Sequence, residues 1–220
     1  MAQLLTTPAT GGPRDRPTIV LAHGAGAGMT SPFMGQIAER VAGLGLDVVR
    51  FEFAYMAGRA STGKRTPPPK AERLVDEYRA VIDGLARKGP LLIGGKSMGG
   101  RVASLIADEL FAAGQIAGLV CLGYPFHPPA KPTQLRTVHL AGLRCPTLIV
   151  QGEKDPFGTR ADCAGYALSS SIRWHWVAGA GHDLAPPAAP GLTRAQAAQA
   201  ALTAVADQIA RFSASPDRHP

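Results

Sequence analysis

Six short apolar runs alternate along the chain with longer segments whose apolar residues recur at helical spacing, and this alternation restricts the fold more than any other feature. The apolar runs lie at residues 18–23, 47–53, 91–94, 117–123, 146–152 and 171–177. The helical segments lie at residues 32–46, 71–89, 98–114, 159–170 and 193–212. Apolar strands that alternate with helices are typical of a mostly parallel sheet with helices on both faces. The sequence therefore predicts an α/β fold with about six strands.

A chain of 220 residues is long enough to bury one sizeable core, and no internal repeat or linker divides this one. We expect a single domain over residues 17–212, an N-terminal extension over residues 1–16 and a flexible polar tail over residues 213–220. The segment 54–70 contains three consecutive prolines, which favour an irregular loop. In open parallel sheets the ligand site lies at the carboxyl ends of the strands. Functional side chains are therefore expected in the loops that follow the six strands.

Composition argues against several classes of partner. Hydrophobic residues make up 45% of the chain and charged residues 18%, which is the balance of a globular protein. The net charge of +7 would suit nucleic acid, but the basic residues are scattered and form no stripe with interleaved aromatic side chains. We therefore expect no nucleic acid partner, and the oligomeric state is left open.

The expected location is the cytoplasm. No apolar run approaches the roughly 18 residues that a membrane-spanning helix needs, so no membrane association is expected. The N-terminus lacks the basic start and long apolar stretch of a signal peptide. The three cysteines, an odd number without close spacing, are interpreted as buried thiols in a reducing compartment.

The stretch LLIGGKSMGGR at residues 91–101 invites comparison with a phosphate-binding loop. The pattern of that loop, G-x-x-x-x-G-K-[ST], would need a glycine where the chain has Pro90. The four residues that follow would also have to form a loop, although they form the predicted strand. The segment HGAGAG at 23–28 likewise lacks the G-x-G-x-x-G spacing of a dinucleotide site. No nucleotide cofactor is predicted.

The same stretch matches G-x-S-x-G, with Ser97 between Gly95 and Gly99. In this motif a sharp, strained turn from a strand into a helix exposes a nucleophilic serine above the sheet. The predicted strand 91–94 precedes Ser97 and a predicted helix follows it, which is the context that the motif requires. Ser97 is therefore the candidate nucleophile.

A serine hydroxyl becomes a strong nucleophile when a histidine accepts its proton and an acid orients the histidine. Asp155 follows the strand 146–152, and His182 lies in the loop after the last strand. The order Ser97, Asp155, His182 is the order expected for a nucleophile of this kind. Glu153 is a competing acid but lies closer to its strand end.

The oxyanion that forms during acyl transfer needs backbone N–H donors. Met98, the residue after the nucleophile, is expected to supply one of them, and Ala25 in the glycine-rich loop is expected to supply the other. His23 at the start of this loop is interpreted as a hydrogen-bonding residue that holds the loop in place.

Five segments, LAHGAGAGM, GGKSMGGR, GYPFHPPAKP, PTLIVQGEKDPFG and GHDL, together resemble the α/β-hydrolase superfamily over about residues 17–212. More narrowly, they resemble the small dienelactone-hydrolase-like branch that includes testis-expressed protein 30. The resemblance implies an α/β-hydrolase fold in which the six predicted strands have the order 2-1-3-4-5-6. The segment between strands 117–123 and 146–152 is too short for a helical cap domain. Residues 1–16 are too short for the two further strands that the larger fold usually has.

Several residues near the predicted site are candidate substrate contacts: His23, Gly24, Gly26, Tyr124, Phe126 and His127. The segment 123–132, which contains the last three, is rich in proline, and it is equally well interpreted as a rigid loop without direct contact.

Basic residues suggest an anionic group on the substrate or product: Arg59, Lys64, Arg65, Lys70, Lys96 and Lys131. A solvated flexible loop is the alternative explanation for the residues between 54 and 70. Lys96 itself has two candidate roles, either pairing with a carboxylate away from Ser97 or adding positive potential near the oxyanion, and we favour the first.

Taken together, these residues predict a serine hydrolase that cleaves a carboxylic ester or related acyl bond of a small-molecule substrate through an acyl-enzyme. Ser97 attacks, His182 transfers the proton and Asp155 orients His182. No cofactor or metal is expected, because no cluster of His, Cys and carboxylate side chains has ligand spacing. The alternative function is a non-catalytic interaction module on the same fold.

Overall fold

The computed structural model describes residues 2–11, 13, 15–63 and 67–215. Within these ranges seven strands form one sheet in the order β1-β3-β2-β4-β5-β6-β7. The strands are β1 (Leu4–Thr7), β2 (Thr18–Ala22), β3 (Asp47–Phe51), β4 (Leu91–Lys96), β5 (Gly118–Leu122), β6 (Thr147–Gly152) and β7 (Ile172–Val177). Strands β2 to β7 are parallel, and their order is the predicted one.

The strand β1 was not among the six predicted. It pairs antiparallel with β3, so that Leu4 lies opposite Phe51 and Thr7 opposite Val48. Its side chains are largely exposed, which explains why its sequence carries no buried-strand pattern. The unpaired backbone groups at the edge of β3 provide the reason for it to form.

Eight helices accompany the sheet in the described part of the chain. They are α1 (Pro32–Gly43), α2 (Ala54–Thr62), α3 (Val75–Asp83), α4 (Met98–Ser104), α5 (Ala107–Ala112), α6 (Val138–Ala141), α7 (Arg160–Ala164) and α8 (Arg194–Ala214). Apolar side chains of β2 alternate between two core clusters, one shared with α1 and α8 and the other with α3 and α4. The sheet is therefore covered on both faces, as predicted.

Two predicted segments differ in the structure. Helix α2 occupies the first half of the segment 54–70, where we expected an irregular loop, because the prolines begin only at residue 67. Gly63 ends α2 in a left-handed conformation with φ +68°. The helix predicted over residues 98–114 is interrupted after Ser104 and continues as α5.

The connection between β5 and β6 contains only the short helix α6, so there is no cap domain over the sheet. Of the predicted C-terminal tail, residues 216–220 lie outside the described residues. No helix in the described ranges combines the length and apolar character that crossing a membrane requires.

The hydroxyl of Tyr78 connects α3 to two central strands. It lies 2.9 Å from the carbonyl oxygen of Val20 in β2 and 2.8 Å from that of Gly94 in β4. It also accepts a hydrogen bond of 2.9 Å from the N–H of Gly94. The side chain is fully buried, which raises the pKa of its phenol and keeps the proton available for donation.

We therefore predict that Tyr78→Phe lowers the free energy of unfolding by about 1–3 kcal/mol, because buried backbone groups lose their partner. Urea denaturation followed by circular dichroism measures this loss. Tyr166→Phe is the matched control, since the contact that the structure gives the Tyr166 side chain is the packing of its ring against Phe126, with 5.5 Å between centroids, and phenylalanine keeps that ring. Equal midpoints for the two variants would contradict the prediction.

Candidate active site

Ser97 stands on a strained turn between β4 and α4. Its φ of 52° lies in the left-handed region, which non-glycine residues rarely adopt. A Cβ atom at either Gly95 or Gly99 would lie 2.4 Å from the carbonyl oxygen of Ala22 in the neighbouring strand. Glycine at both positions therefore lets the turn pass close to β2, and the serine is held at the carboxyl edge of the sheet.

The structure brings Ser97, His182 and Asp155 into one chain of hydrogen bonds. Nδ1–H of His182 donates to Oδ2 of Asp155 at 2.8 Å, and Nε2 of His182 accepts from the Ser97 hydroxyl at 2.8 Å. Asp155 is fully buried, whereas the His182 side chain is 25% exposed. A buried carboxylate behind a partly exposed imidazole is the arrangement that holds the imidazole in the tautomer and orientation needed to accept a serine proton.

Gln151 in β6 orients Asp155, and the sequence analysis did not identify it. Its Nε2–H donates to Oδ2 of Asp155 at 2.9 Å, and its Oε1 accepts from the N–H of Tyr124 at 2.7 Å. The N–H of Phe157 donates to the other carboxylate oxygen at 2.9 Å. A glutamine in an otherwise apolar buried strand was the available signal, because a buried amide needs partners.

Glu153, the competing acid, is occupied elsewhere. Its carboxylate accepts hydrogen bonds from Arg160 at 2.8 Å and from the N–H of Gly179 at 3.1 Å. These bonds lower the pKa of Glu153, the backbone bond being the larger cause. The acid that reaches His182 is Asp155.

The loop after β2 is fixed by His23, which is fully buried. Nδ1–H of His23 donates to the carbonyl oxygen of Gly24 at 2.7 Å, and Nε2 accepts from the N–H of Phe53 at 3.2 Å. Burial lowers the pKa of His23, so the neutral imidazole can make both bonds. His23 supports the loop and does not line the cavity beside it.

Helix α2 supports the same loop from outside. The Tyr55 hydroxyl lies 3.4 Å from the carbonyl oxygen of Gly24 and 3.3 Å from that of Ala25. Arg59 donates to the Ala25 carbonyl at 3.2 Å. The role of Tyr55 was not predicted from the sequence, because an irregular loop was expected for residues 54–70. Of the two predicted oxyanion donors, Ala25 lines the cavity. The other, Met98, begins α4, where the first N–H groups have no acceptor within the helix.

A cavity of about 540 Å³ opens beside Ser97. Apolar side chains form much of its wall, while Lys96, His182 and Asp183 are its charged or titratable lining residues. The apolar or small members of the wall are Gly24, Ala25, Gly26, Ala27, Pro32, Phe33, Met34 and Phe157. Of the candidate substrate contacts, Gly24 and Gly26 lie in this wall.

The remaining candidate contacts are directed elsewhere. Tyr124 and Phe126 are fully buried, and their rings pack against each other at 4.8 Å. The Tyr124 hydroxyl donates to the carbonyl oxygen of Arg136 at 3.0 Å. His127 is also buried, with Nδ1 3.0 Å from the carbonyl oxygen of Pro128. The proline-rich segment therefore turns these side chains into the core, and none of the three lines the cavity.

Of the six basic residues that suggested an anionic substrate or product, Lys96 lies in the cavity wall. Arg59, Lys70 and Lys131 do not line the cavity, and Lys64 and Arg65 lie outside the described residues. We favoured a direct ion pair between Lys96 and a carboxylate, but none forms among the described residues. Nζ of Lys96 instead donates to the backbone carbonyl of His182 at 2.7 Å.

The chain resembles known proteins in its sequence family and in its fold. A family model described as an alpha/beta hydrolase domain matches residues 15–211. The structure of an alpha-beta serine hydrolase homologue from Coxiella burnetii is 18% identical, with 96% of this chain and 90% of that chain covered and a TM-score of 0.68. Dienelactone hydrolase from Anabaena variabilis is 21% identical, with 96% and 90% covered and a TM-score of 0.67.

Est1E from Butyrivibrio proteoclasticus is 15% identical, with 97% of this chain and 93% of that chain covered and a TM-score of 0.65. At these identities the likeness to solved structures is one of fold. Together with the family match, it confirms the predicted resemblance to α/β hydrolases, dienelactone hydrolase among them.

The burial of His23 predicts a pH dependence of stability. Its pKa is lowered from 6.5 in the folded state, so the unfolded chain takes up a proton first as the pH falls. The contribution of neutral His23 to stability is therefore complete above about pH 6.5 and is lost as the pH falls toward the folded-state pKa.

His23→Asn retains a donor near the Nδ1 position but does not titrate. Urea unfolding between pH 8 and pH 5 should give a smaller loss for His23→Asn than for the wild type; parallel curves would refute the prediction.

Proposed function

We propose that Ser97 is the nucleophile of a serine hydrolase acting on a carboxylic ester or related acyl bond. The premise is that the chain, by its family match, belongs to the alpha/beta hydrolase family; it is a hydrolase. The observation that carries the proposal is the pair of 2.8 Å hydrogen bonds that joins Ser97 to His182 and His182 to Asp155. Each of these side chains follows a different strand, so their convergence depends on the whole sheet.

In the proposed reaction His182 Nε2 takes the Ser97 proton as Oγ attacks the substrate carbonyl. The Asp155 carboxylate stabilises the imidazolium that forms. The N–H groups of Ala25 and Met98 are the proposed donors to the tetrahedral oxyanion. The imidazolium then protonates the departing alcohol, and an acyl group remains on Ser97. Water activated by the same histidine cleaves this acyl-enzyme, releasing the acid and restoring the serine.

The proposed substrate is a small ester with a neutral, apolar group. A cavity of about 540 Å³ is of the size that holds a small organic molecule, and its wall is largely apolar. Lys96 provides a positive charge there, but Asp183 lies in the same wall and opposes binding of an anion. One structure that this chain resembles is that of ferulic acid bound to Est1E from Butyrivibrio proteoclasticus.

The proposed place of action is a reducing cytoplasm. All three cysteines, Cys121, Cys145 and Cys163, are free and buried. Burial raises the pKa of the Cys163 thiol to about 12, which keeps it protonated and unreactive at neutral pH. Such thiols need no oxidising environment.

A fluorophosphonate probe tests the nucleophile. We expect the folded protein to be labelled on Ser97 and Ser97→Ala to remain unlabelled, with kcat/KM for a p-nitrophenyl ester at least about 10³-fold lower. Ser31→Ala is the matched control, because Ser31 lines the same cavity and makes no capping hydrogen bond to α1. Absence of label on folded wild type would refute the proposal and favour the non-catalytic alternative.

A matched pair of esters tests the charge of the substrate. We expect a neutral acyl ester to be hydrolysed with a higher kcat/KM than an ester of equal length that ends in a carboxylate, because Asp183 and the apolar wall disfavour the anion. Initial rates with p-nitrophenyl esters of the two acids measure the ratio. A higher kcat/KM for the anionic ester would instead support the anionic hypothesis.

A further inference from the structure

Lys96 makes a contact that the proposed reaction leaves unexplained. It is the last residue of β4 and directly precedes Ser97, yet its Nζ donates to the backbone carbonyl of His182 at 2.7 Å. His182 is 86 positions further along the chain, in the loop after the edge strand β7. A single side chain therefore links the central strand that carries the serine to the edge loop that carries the histidine.

The neighbouring residues leave space for this contact. Gly123, the residue that follows β5, has a φ of +68°. A Cβ atom there would lie 3.0 Å from Nζ of Lys96, 3.1 Å from the His182 carbonyl oxygen and 3.5 Å from Nδ1 of His182. The ring of Phe33 in α1 covers the ammonium from the other side, 5.8 Å from Nζ to its centroid. The site is thus shaped around an ammonium group in contact with the His182 backbone.

The charges that face Lys96 come from two loops. Asp155 follows β6 and Asp183 follows β7, and both carboxylates favour the charged ammonium. Burial acts more strongly in the opposite direction and lowers the pKa of Lys96 to about 8. From α1 and β5 the neighbours are Phe33 and Gly123, which carry no charge. Lys96 is therefore expected to lose its proton within the range in which hydrolases are assayed.

We propose that Lys96 is a positioning residue, whose ammonium ties the His182 backbone to the nucleophile strand and so holds the imidazole between Ser97 and Asp155. The inference rests on the proposed function of Ser97. Without the tie, the loop after β7 is held by the loop after β6, in which Glu153 accepts from the N–H of Gly179 and the N–H of Lys154 donates to the carbonyl of Ala180. Neither of these bonds reaches the nucleophile strand β4. Small displacements of a catalytic group are costly, since about 1 Å of misplacement can lower a rate about 10²-fold.

Lys96→Met tests the proposal because it keeps the length and apolar stem of the side chain and removes the donor. We expect kcat for a p-nitrophenyl ester to fall about 10- to 100-fold with KM within about twofold of the wild type. For the wild type we expect kcat to fall above about pH 8, as Lys96 loses its charge. In Lys96→Met this alkaline decrease should be absent. Lys88→Met is the matched control, since Lys88 is exposed and precedes the opposite end of β4.

Two results would overturn the proposal: an unchanged kcat in Lys96→Met, or a lower kcat that retains the alkaline decrease. If Lys96→Met does not fold, Lys96→Arg decides the question, because its guanidinium stays charged and its kcat should remain level above pH 8. Fluorophosphonate labelling separates this proposal from the proposed function. Failure to label folded wild type removes the function itself, whereas labelling with unchanged kinetics in Lys96→Met removes only the role of the lysine.

Discussion

At Gly94 and Gly95 the backbone of β4 passes its neighbouring strands so closely that no side chain would fit, and the rest of the site depends on this close approach. A Cβ atom at Gly94 would lie 2.0 Å from the carbonyl oxygen of Val120, and one at Gly95 would lie 2.4 Å from that of Ala22. Glycine at these positions lets the strand turn into α4 within a few residues of the sheet edge. Ser97 is thereby raised above the sheet at a point that the loops after β6 and β7 can reach.

Much of this arrangement was predictable because it follows from simple regularities. Apolar runs identify strands that are buried on both faces, and the parallel order brings every carboxyl end to one edge. Ser97, Asp155 and His182 stand at the ends of three such strands, so their approach could be inferred without coordinates. In the structure, two hydrogen bonds of 2.8 Å join His182 to Asp155 and to Ser97.

What the sequence did not reveal was the direction of side chains in loops. Tyr124 and Phe126 follow β5 at the site edge, yet both turn into the core, because aromatic side chains beside rigid prolines gain most from burial. Helix α2 was not predicted because the three prolines indicated a loop for the whole segment 54–70. The helix ends at Thr62, before the prolines begin at residue 67. The strand β1 was missed because it forms by adding to an available sheet edge, and its own exposed side chains carry no pattern.

Helix α2 has a consequence for how proteins of this architecture can diverge. Tyr55 and Arg59 of this helix contact the carbonyl groups of the loop after β2. Among residues 54–59, Met56 is the one buried side chain. Tyr55 also packs against one core cluster, whereas Arg59 belongs to neither, so a substitution of Arg59 acts on the electrostatic environment of the loop and leaves both clusters intact. At Arg59, selection can therefore adjust the setting of the loop after β2 with little effect on folding.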